Sequence, residues 1–207
     1  MRPKTGRPGG LLLTPGAGSD KDHHTLVAIG EAVLPLPVSR VDFPYRKEGR
    51  KAPDRAPKLI ASLVADAEAF VSKASIAPDR LLLGGRSMGG RMCSMAVAEG
   101  LPAAGLILVS YPLHPPGRPE RLRVEHLPLL AVPCLFISGT RDPFGTPEEL
   151  EAATATIVGP VTHHWIEGGR HDLKAADETI CAAVVAWIDA PGLGRRSQVP
   201  NSDRCLS

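Results

Sequence analysis

Short apolar runs and amphipathic stretches take turns along this chain. Leu11-Leu12-Leu13 is a continuous apolar run, the mark of a strand buried on both faces. It breaks at Thr14-Pro15-Gly16-Ala17-Gly18-Ser19-Asp20. Leu26, Ile29 and Val33 then recur at helical spacing, which predicts a helix over 22–33 closed by Pro35. Residues 38–43 alternate and read as a second strand, and the basic stretch 44–57 reads as a loop. Leu59, Ile60, Leu63, Val64, Ala67, Phe70 and Val71 predict a long amphipathic helix over 58–74.

Leu81-Leu82-Leu83 is the third strand and passes through glycines into a helical pattern over 91–98. Further apolar runs predict strands over 106–109 and 135–137, and 162–166 reads as a sixth, shorter strand. Thr146, with Pro147 next and Glu149 three residues on, is a capping box that opens another helix. A last helix is expected over 174–190. Strands followed by helical connections predict an α/β protein: one compact, doubly wound sheet of about six parallel strands with flanking helices. Residues 10–190 form the expected domain, 1–9 a flexible leader, and 191–207 a disordered tail in which Gly, Arg, Ser and Pro lack periodicity.

Composition narrows the function. The 207 residues suit one α/β domain, and 43% hydrophobic residues suit a real core. A net charge of +2, with acids and bases interspersed, argues against nucleic acid or a membrane surface as partner. Aromatic residues at 4% leave little for base stacking. Cys93, Cys134, Cys181 and Cys205 show no C-x-x-C and no metal-ligand spacing. Cys93 and Cys134 are expected to be small core residues, and such cysteine usage suits a reducing cytoplasm. No signal peptide is expected, since residues 1–10 have no apolar core, and no run approaches membrane-spanning length.

The chemistry centres on Gly84-Gly85-Arg86-Ser87-Met88-Gly89-Gly90. Gly85-x-Ser87-x-Gly89, between a strand and a helix, is the pattern of a nucleophile elbow. The glycines let backbones crowd together, and Ser87 is held in strained angles over a helix N-terminus, where an oxyanion is stabilised. Two further loops follow later strands: Ser138-Gly139-Thr140-Arg141-Asp142 and Glu167-Gly168-Gly169-Arg170-His171. In such sheets the loops after the strands share one edge. Ser87, Asp142 and His171 therefore fall together as candidate nucleophile, orienting acid and base. Met88 and Ala17 are the candidate oxyanion donors through their backbone N–H groups. Gly16, Tyr111 and His114 are expected to contact substrate, and residues 111–131 to wall the pocket. His23 and His24 open a helix beside the oxyanion loop. Asp172 is expected to cap the last helix.

Arg86 and Arg91 bracket the elbow. Arg86 is expected to tie down neighbouring loops, and Arg91 to cap or line the first helical turn. The alternative, in which one of them holds an acidic substrate, stays open.

The octet Gly84-Gly85-Arg86-Ser87-Met88-Gly89-Gly90-Arg91, with Pro15-Gly16-Ala17-Gly18 and Gly139-Thr140-Arg141-Asp142, resembles a small α/β-hydrolase family. Relatives of that family include a testis-expressed hydrolase-like protein and a regulatory subunit of a histone-acetylating chromatin complex. More broadly the chain resembles dienelactone hydrolases over about residues 10–190. The resemblance implies an α/β-hydrolase fold without a large lid. Two departures stand out: Pro15-Gly16 replaces the His-Gly common in the wider fold, and Ser87 stands where dienelactone hydrolases are expected to carry cysteine.

The expectation is a cytoplasmic serine hydrolase, monomer or homodimer, acting on a small-molecule ester or thioester with no metal or cofactor. Two alternatives are a catalytically silent binding or scaffold protein on the same fold, and acyl transfer to a nucleophile other than water.

Overall fold

The computed structural model describes residues 7–190 and residue 193; the expected tail over 191–207, residue 193 apart, and most of the leader fall outside. Residues 7 and 9 are tied down, because Gly9 N–H donates to Arg80 O at 2.8 Å and Arg80 donates to Arg7 O.

Six strands form one sheet: β1 (Gly10–Thr14), β2 (Val38–Arg40), β3 (Leu81–Arg86), β4 (Gly105–Val109), β5 (Cys134–Gly139) and β6 (Val161–Ile166). Every pairing is parallel, and the order across the sheet is β2-β1-β3-β4-β5-β6. This is the doubly wound sheet expected from the alternating pattern. The chain steps from β1 outward to β2, then crosses back to lay β3 on the other side of β1. The loops leaving β1 and β3 therefore diverge, and a crevice opens at the carboxyl ends of those two strands.

Among the described residues, six α-helices accompany the strands: α1 (His24–Ala32), α2 (Pro44–Lys47), α3 (Ala56–Ala74), α4 (Met88–Ala98), α5 (Pro147–Thr154) and α6 (Asp177–Asp189). Alternate strand residues divide the core in two. Leu83, Leu108 and Phe136 pack with Leu59 and Leu63 of α3 and with Met92 and Ala96 of α4. Leu82, Ile107 and Ile137 pack with Leu26 and Ile29 of α1 and with Ile180 and Val184 of α6. The central strands are buried on both faces, which explains why they read as unbroken apolar runs. None of the described helices is long and apolar enough to cross a membrane.

Several boundaries differ from the sequence reading, three of them for a visible local reason. The alternation after residue 37 ends as a strand at Arg40, because Phe43 turns into the core and starts α2 with Pro44 at its first position. That four-residue helix buries Tyr45 inside the stretch read as loop. Helix α6 begins at Asp177, because Leu173 and Ala175 adopt left-handed φ of 47° and 60°. Its N-cap is Ala176, without a side-chain hydrogen bond, so Asp172 does not cap it. The capping box at α5 forms as read: Thr146 Oγ1 accepts from Glu149 N–H at 3.3 Å, and Glu149 Oε2 accepts from Thr146 N–H at 2.8 Å.

Candidate active site

The elbow is built by close backbone contact. A Cβ on Gly85 would collide with Thr14 Oγ1 and lie 2.6 Å from the nitrogen of Gly90. One on Gly89 would lie 2.5 Å from Pro15 O and 2.6 Å from Thr14 O. Real Cβ atoms do not approach so near, so only glycine fits at either position. Thr14 is buried beneath the turn and donates through Oγ1 to Gly84 O at 3.2 Å. Its N–H 2.8 Å from Val109 O, Ser87 takes φ 51° and ψ −119°, a conformation costing on the order of 1–3 kcal/mol that its surroundings impose. The serine is half-buried, with its hydroxyl at the start of α4.

The loops after β5 and β6 are stitched to each other. Thr140 N–H donates to Ile166 O at 3.0 Å, Arg141 N–H to Gly169 O at 2.8 Å, and Gly168 N–H to Thr140 Oγ1 at 2.9 Å. A side chain on Gly139 would run into the backbone of Gly169, so these two loops can meet only at glycine. Asp142 is carried on one of them and His171 on the other.

Across these loops runs one chain of hydrogen bonds. Ser87 Oγ lies 2.8 Å from His171 Nε2. His171 Nδ1 lies 2.8 Å from Asp142 Oδ2 and 3.0 Å from Oδ1. The Asp142 side chain is 2% exposed and that of His171 is 19% exposed, so the acid is sealed in while the imidazole keeps an open edge. Asp142 Oδ1 also accepts from Phe144 N–H at 2.9 Å, and the Phe144 ring stacks on His171. A hydroxyl, an imidazole and a buried carboxylate in this sequence are equipped to move a proton off the hydroxyl and hold the resulting imidazolium.

Arg86 secures the loop that carries His171. Its Nη2 donates to His171 O at 2.9 Å. Burial lowers its pKa, opposed by the charges of Asp172, Asp142 and Asp177. This is the loop-tying placement expected of it.

The loop after β1 lies against Ser87. A Cβ on Gly16 would sit 3.5 Å from Ser87 Cβ. The next peptide is fixed from the far side, where Tyr45 Oη donates to Ala17 O at 2.9 Å. Met88 occupies the first position of α4, so its N–H has no intrahelical acceptor.

Tyr111 and His114 depart from the substrate contacts expected of them. Tyr111 is 2% exposed, packs edge-on against Phe136, and donates through Oη to Arg123 O at 2.9 Å. His114 is 5% exposed and lies between Pro115 O at 2.9 Å and Glu149 Oε2 at 3.3 Å. The chain turns sharply after β4, with Ser110 at φ 51°, and both side chains follow it inward. They brace the 111–131 segment instead of facing the crevice. His23 caps α1, its Nδ1 accepting from Thr25 N–H at 3.3 Å, while His24 pairs with Asp177 of α6.

A second serine–histidine contact has another character. Ser94 Oγ lies 2.7 Å from His126 Nε2, but Ser94 is wholly buried in α4 and also donates to Arg91 O at 2.9 Å. Burial, with the Arg91 charge second, pulls His126 down to about 4, so it stays neutral. This pair joins α4 to the 111–131 segment. Burial likewise pushes the thiols of Cys93 and Cys134 up to about 12, which fits inert core residues. Two surface depressions, of about 330 and 320 Å³, lie beside Leu34 and Arg40 and beside Thr154 and His163, away from Ser87.

Parallel sheet, elbow and loop order together define an α/β hydrolase fold. The chain belongs to the alpha/beta hydrolase domain family, whose pattern matches residues 8–183. Solved structures of similar fold include Est1E from Butyrivibrio proteoclasticus, at 16% identity and a TM-score of 0.70, covering 90% of this chain and 89% of that one. An alpha-beta serine hydrolase homologue from Coxiella burnetii is similar at 19% identity and a TM-score of 0.66, over 87% and 88% of the two chains. A dienelactone hydrolase from Anabaena variabilis is similar at 18% identity and a TM-score of 0.67, over 88% and 86%. At these identities the likeness is one of fold.

Phe144, Tyr45 and Thr14 were not singled out by the sequence. Phe144 alone left a signal: an aromatic ring, in a chain with 4 phenylalanines, two residues after the candidate acid.

Proposed function

We propose that the protein is a serine hydrolase that cleaves a small ester or thioester through an acyl-enzyme on Ser87. The observation carrying this reading is the unbroken path from Ser87 Oγ through both nitrogens of His171 to buried Asp142. In the first half-reaction Ser87 Oγ attacks the carbonyl carbon while its proton passes to His171 Nε2. Asp142 holds the Nδ1–H and balances the imidazolium charge. The carbonyl oxygen becomes an oxyanion beside the N–H groups of Met88 and Ala17, at the positive end of α4. Collapse expels the alcohol or thiol, which takes the Nε2 proton. Water then enters, gives a proton to Nε2, and attacks the acyl carbon. The second tetrahedral species breaks to free the acid and return the proton to Ser87.

The wild-type protein should take a fluorophosphonate label on Ser87, and Ser87→Ala should take none. A wild type that stays unlabelled, beside a known serine hydrolase that labels, would shift the balance to the binding or scaffold reading. That reading has to explain why nucleophile, base and acid are all retained in hydrogen-bonded register. Neutral p-nitrophenyl esters of increasing acyl length would then map the pocket. With residues 111–131 as the wall of the site, short acyl groups should turn over faster than long ones.

A further inference from the structure

One helical turn beyond the elbow, Arg91 N–H donates to Ser87 O at 3.1 Å. Arg91 shares a face of α4 with Met88 and Met95, since residues three and four apart are neighbours on a helix. The same helical turn meets the 111–131 segment through a relay of hydrogen bonds. Ser94 Oγ donates to Arg91 O at 2.9 Å and contacts His126 Nε2 at 2.7 Å. His126 Nε2 lies 3.4 Å from Tyr111 Oη, which donates to Arg123 O. The side chain of Arg123 folds back within the 111–131 segment, with Nη1 donating to Pro112 O at 3.3 Å. The Arg91 charge is felt by Tyr111, Arg123 and His126.

Two features of this corner call for an anion. Arg91 Nε is buried and has no hydrogen-bond partner. Among the described residues, neither Arg91 nor Arg123 has a carboxylate within ion-pair distance, although surface arginines such as Arg40, Arg46 and Arg50 do. Glu125, the acid of the same segment, is exposed and reaches neither. Two half-buried guanidinium groups that sense each other's charge repel when no counter-charge is present, and a guanidinium presents its donors in a fork suited to a carboxylate. Arg86 Nε is likewise buried without a partner, but Arg86 already donates to His171 O and has the charges of Asp172, Asp142 and Asp177 acting on it.

We propose that Arg91, together with Arg123, forms a carboxylate-recognition site flanking Ser87, and that the substrates are small esters bearing a carboxylate. This rests on the serine-hydrolase reading and names its substrate class. The rise over the four residues from Ser87 to Arg91 is about 6 Å along the helix axis. Acyl groups with two or three methylenes between the ester carbonyl and the carboxylate probe a site one helical turn from the serine.

The test compares mono-p-nitrophenyl succinate and glutarate with p-nitrophenyl butyrate. The wild type should favour the charged esters by about tenfold in kcat/KM, and about 0.5 M salt should erode that preference. Arg91→Met should reduce the charged-to-neutral ratio roughly tenfold, chiefly through KM, and Arg91→Lys should keep part of it. Should Arg91→Met fail to fold, Arg123→Gln should lower the same ratio. A ratio indifferent to Arg91, Arg123 and salt overturns the proposal. Calorimetry with glutarate on Ser87→Ala reads the site without turnover. Binding that is lost in the Ser87→Ala, Arg91→Met double variant supports it; absence of binding opposes it. Glutarate binding in a wild type that resists fluorophosphonate would uphold the carboxylate site and defeat the hydrolase reading. Ready turnover of the butyrate with no Arg91-dependent preference would do the reverse.

Discussion

The ring of Phe144 lies over the imidazole of His171, with centroids 4.0 Å apart and planes inclined by 28°. The same residue gives its backbone N–H to Asp142 Oδ1 at 2.9 Å. Phe144 thus holds the acid with its backbone and the base with its side chain. An aromatic contact of this kind contributes about 1 kcal/mol beyond burial. Phe144→Ala leaves the backbone bond but frees the ring of His171 to tilt. We expect kcat to fall roughly fivefold, with KM little changed, as measured on p-nitrophenyl butyrate. Phe144→Leu, which covers the imidazole without stacking, should fall between. An alanine variant with wild-type kcat would show that Asp142 alone orients the base.

Arg86 sets a different test, because it reaches the site through the backbone of His171. Losing its 2.9 Å bond to His171 O releases the base loop and leaves a carbonyl without its charged donor. A hydrogen bond to a charged group contributes about 1.5–3 kcal/mol. Arg86→Leu should lower the unfolding temperature and reduce rates on neutral and carboxylate-bearing esters by the same factor. A stable variant with a selective KM increase on the charged esters would reassign Arg86 to substrate recognition.

The sequence made most of this site legible because the chemistry and the fold use the same punctuation. Gly85 and Gly89 are required by the elbow's contacts, and the strands before Ser87, Asp142 and His171 place all three at one sheet edge. What stayed hidden depends on side-chain direction. Tyr111 follows a strand as a pocket residue does, yet the positive φ of Ser110 turns the chain and Tyr111 goes into the core. Likewise, Tyr45 lies in a basic stretch without periodicity, and its bond to Ala17 O spans a gap that no local pattern reports. Asp172 looks like a helix cap until the left-handed Leu173 and Ala175 move the helix start.

Gly85 and Gly16 both border the elbow and should respond oppositely to an added methyl group. On Gly85 it meets the backbone of Gly90 at 2.6 Å and of Gly89 at 2.7 Å, and neither can yield without unwinding the start of α4. Gly85→Ala should therefore destabilise by several kcal/mol, on the order of other overpacked core sites, and abolish labelling of Ser87. On Gly16 the methyl meets Ser87 Cβ at 3.5 Å, an ordinary contact. Gly16→Ala should keep its unfolding temperature yet lose kcat/KM, because the methyl group occupies space beside the nucleophile. Equal thermal stability of the two variants would mean that the elbow is looser than its contacts indicate.

The last prediction concerns acid. His126 is half-buried against α4, with Ser94 and Tyr111 at its Nε2 and the charges of Arg91 and Glu125 acting on it in opposite senses. Burial first, and Arg91 second, bring it from an ordinary 6.5 to about 4 in the folded protein. Unfolding restores the ordinary value, so between those limits the unfolded chain binds more protons than the folded one. The stability conferred by a neutral His126 is thus whole above about pH 6.5 and is lost progressively as the pH falls toward 4. His163 and His23, also lowered chiefly by burial, add to the trend in the same direction. His126→Gln keeps a hydrogen-bonding amide near Ser94 but cannot take up the proton. Denaturant unfolding across that range should show wild-type stability declining steeply on acidification and the glutamine variant declining less. The two curves should converge at the acid end even if the variant starts lower at neutral pH. Parallel curves would place the acid sensitivity elsewhere, with His163 and His23 the next to test.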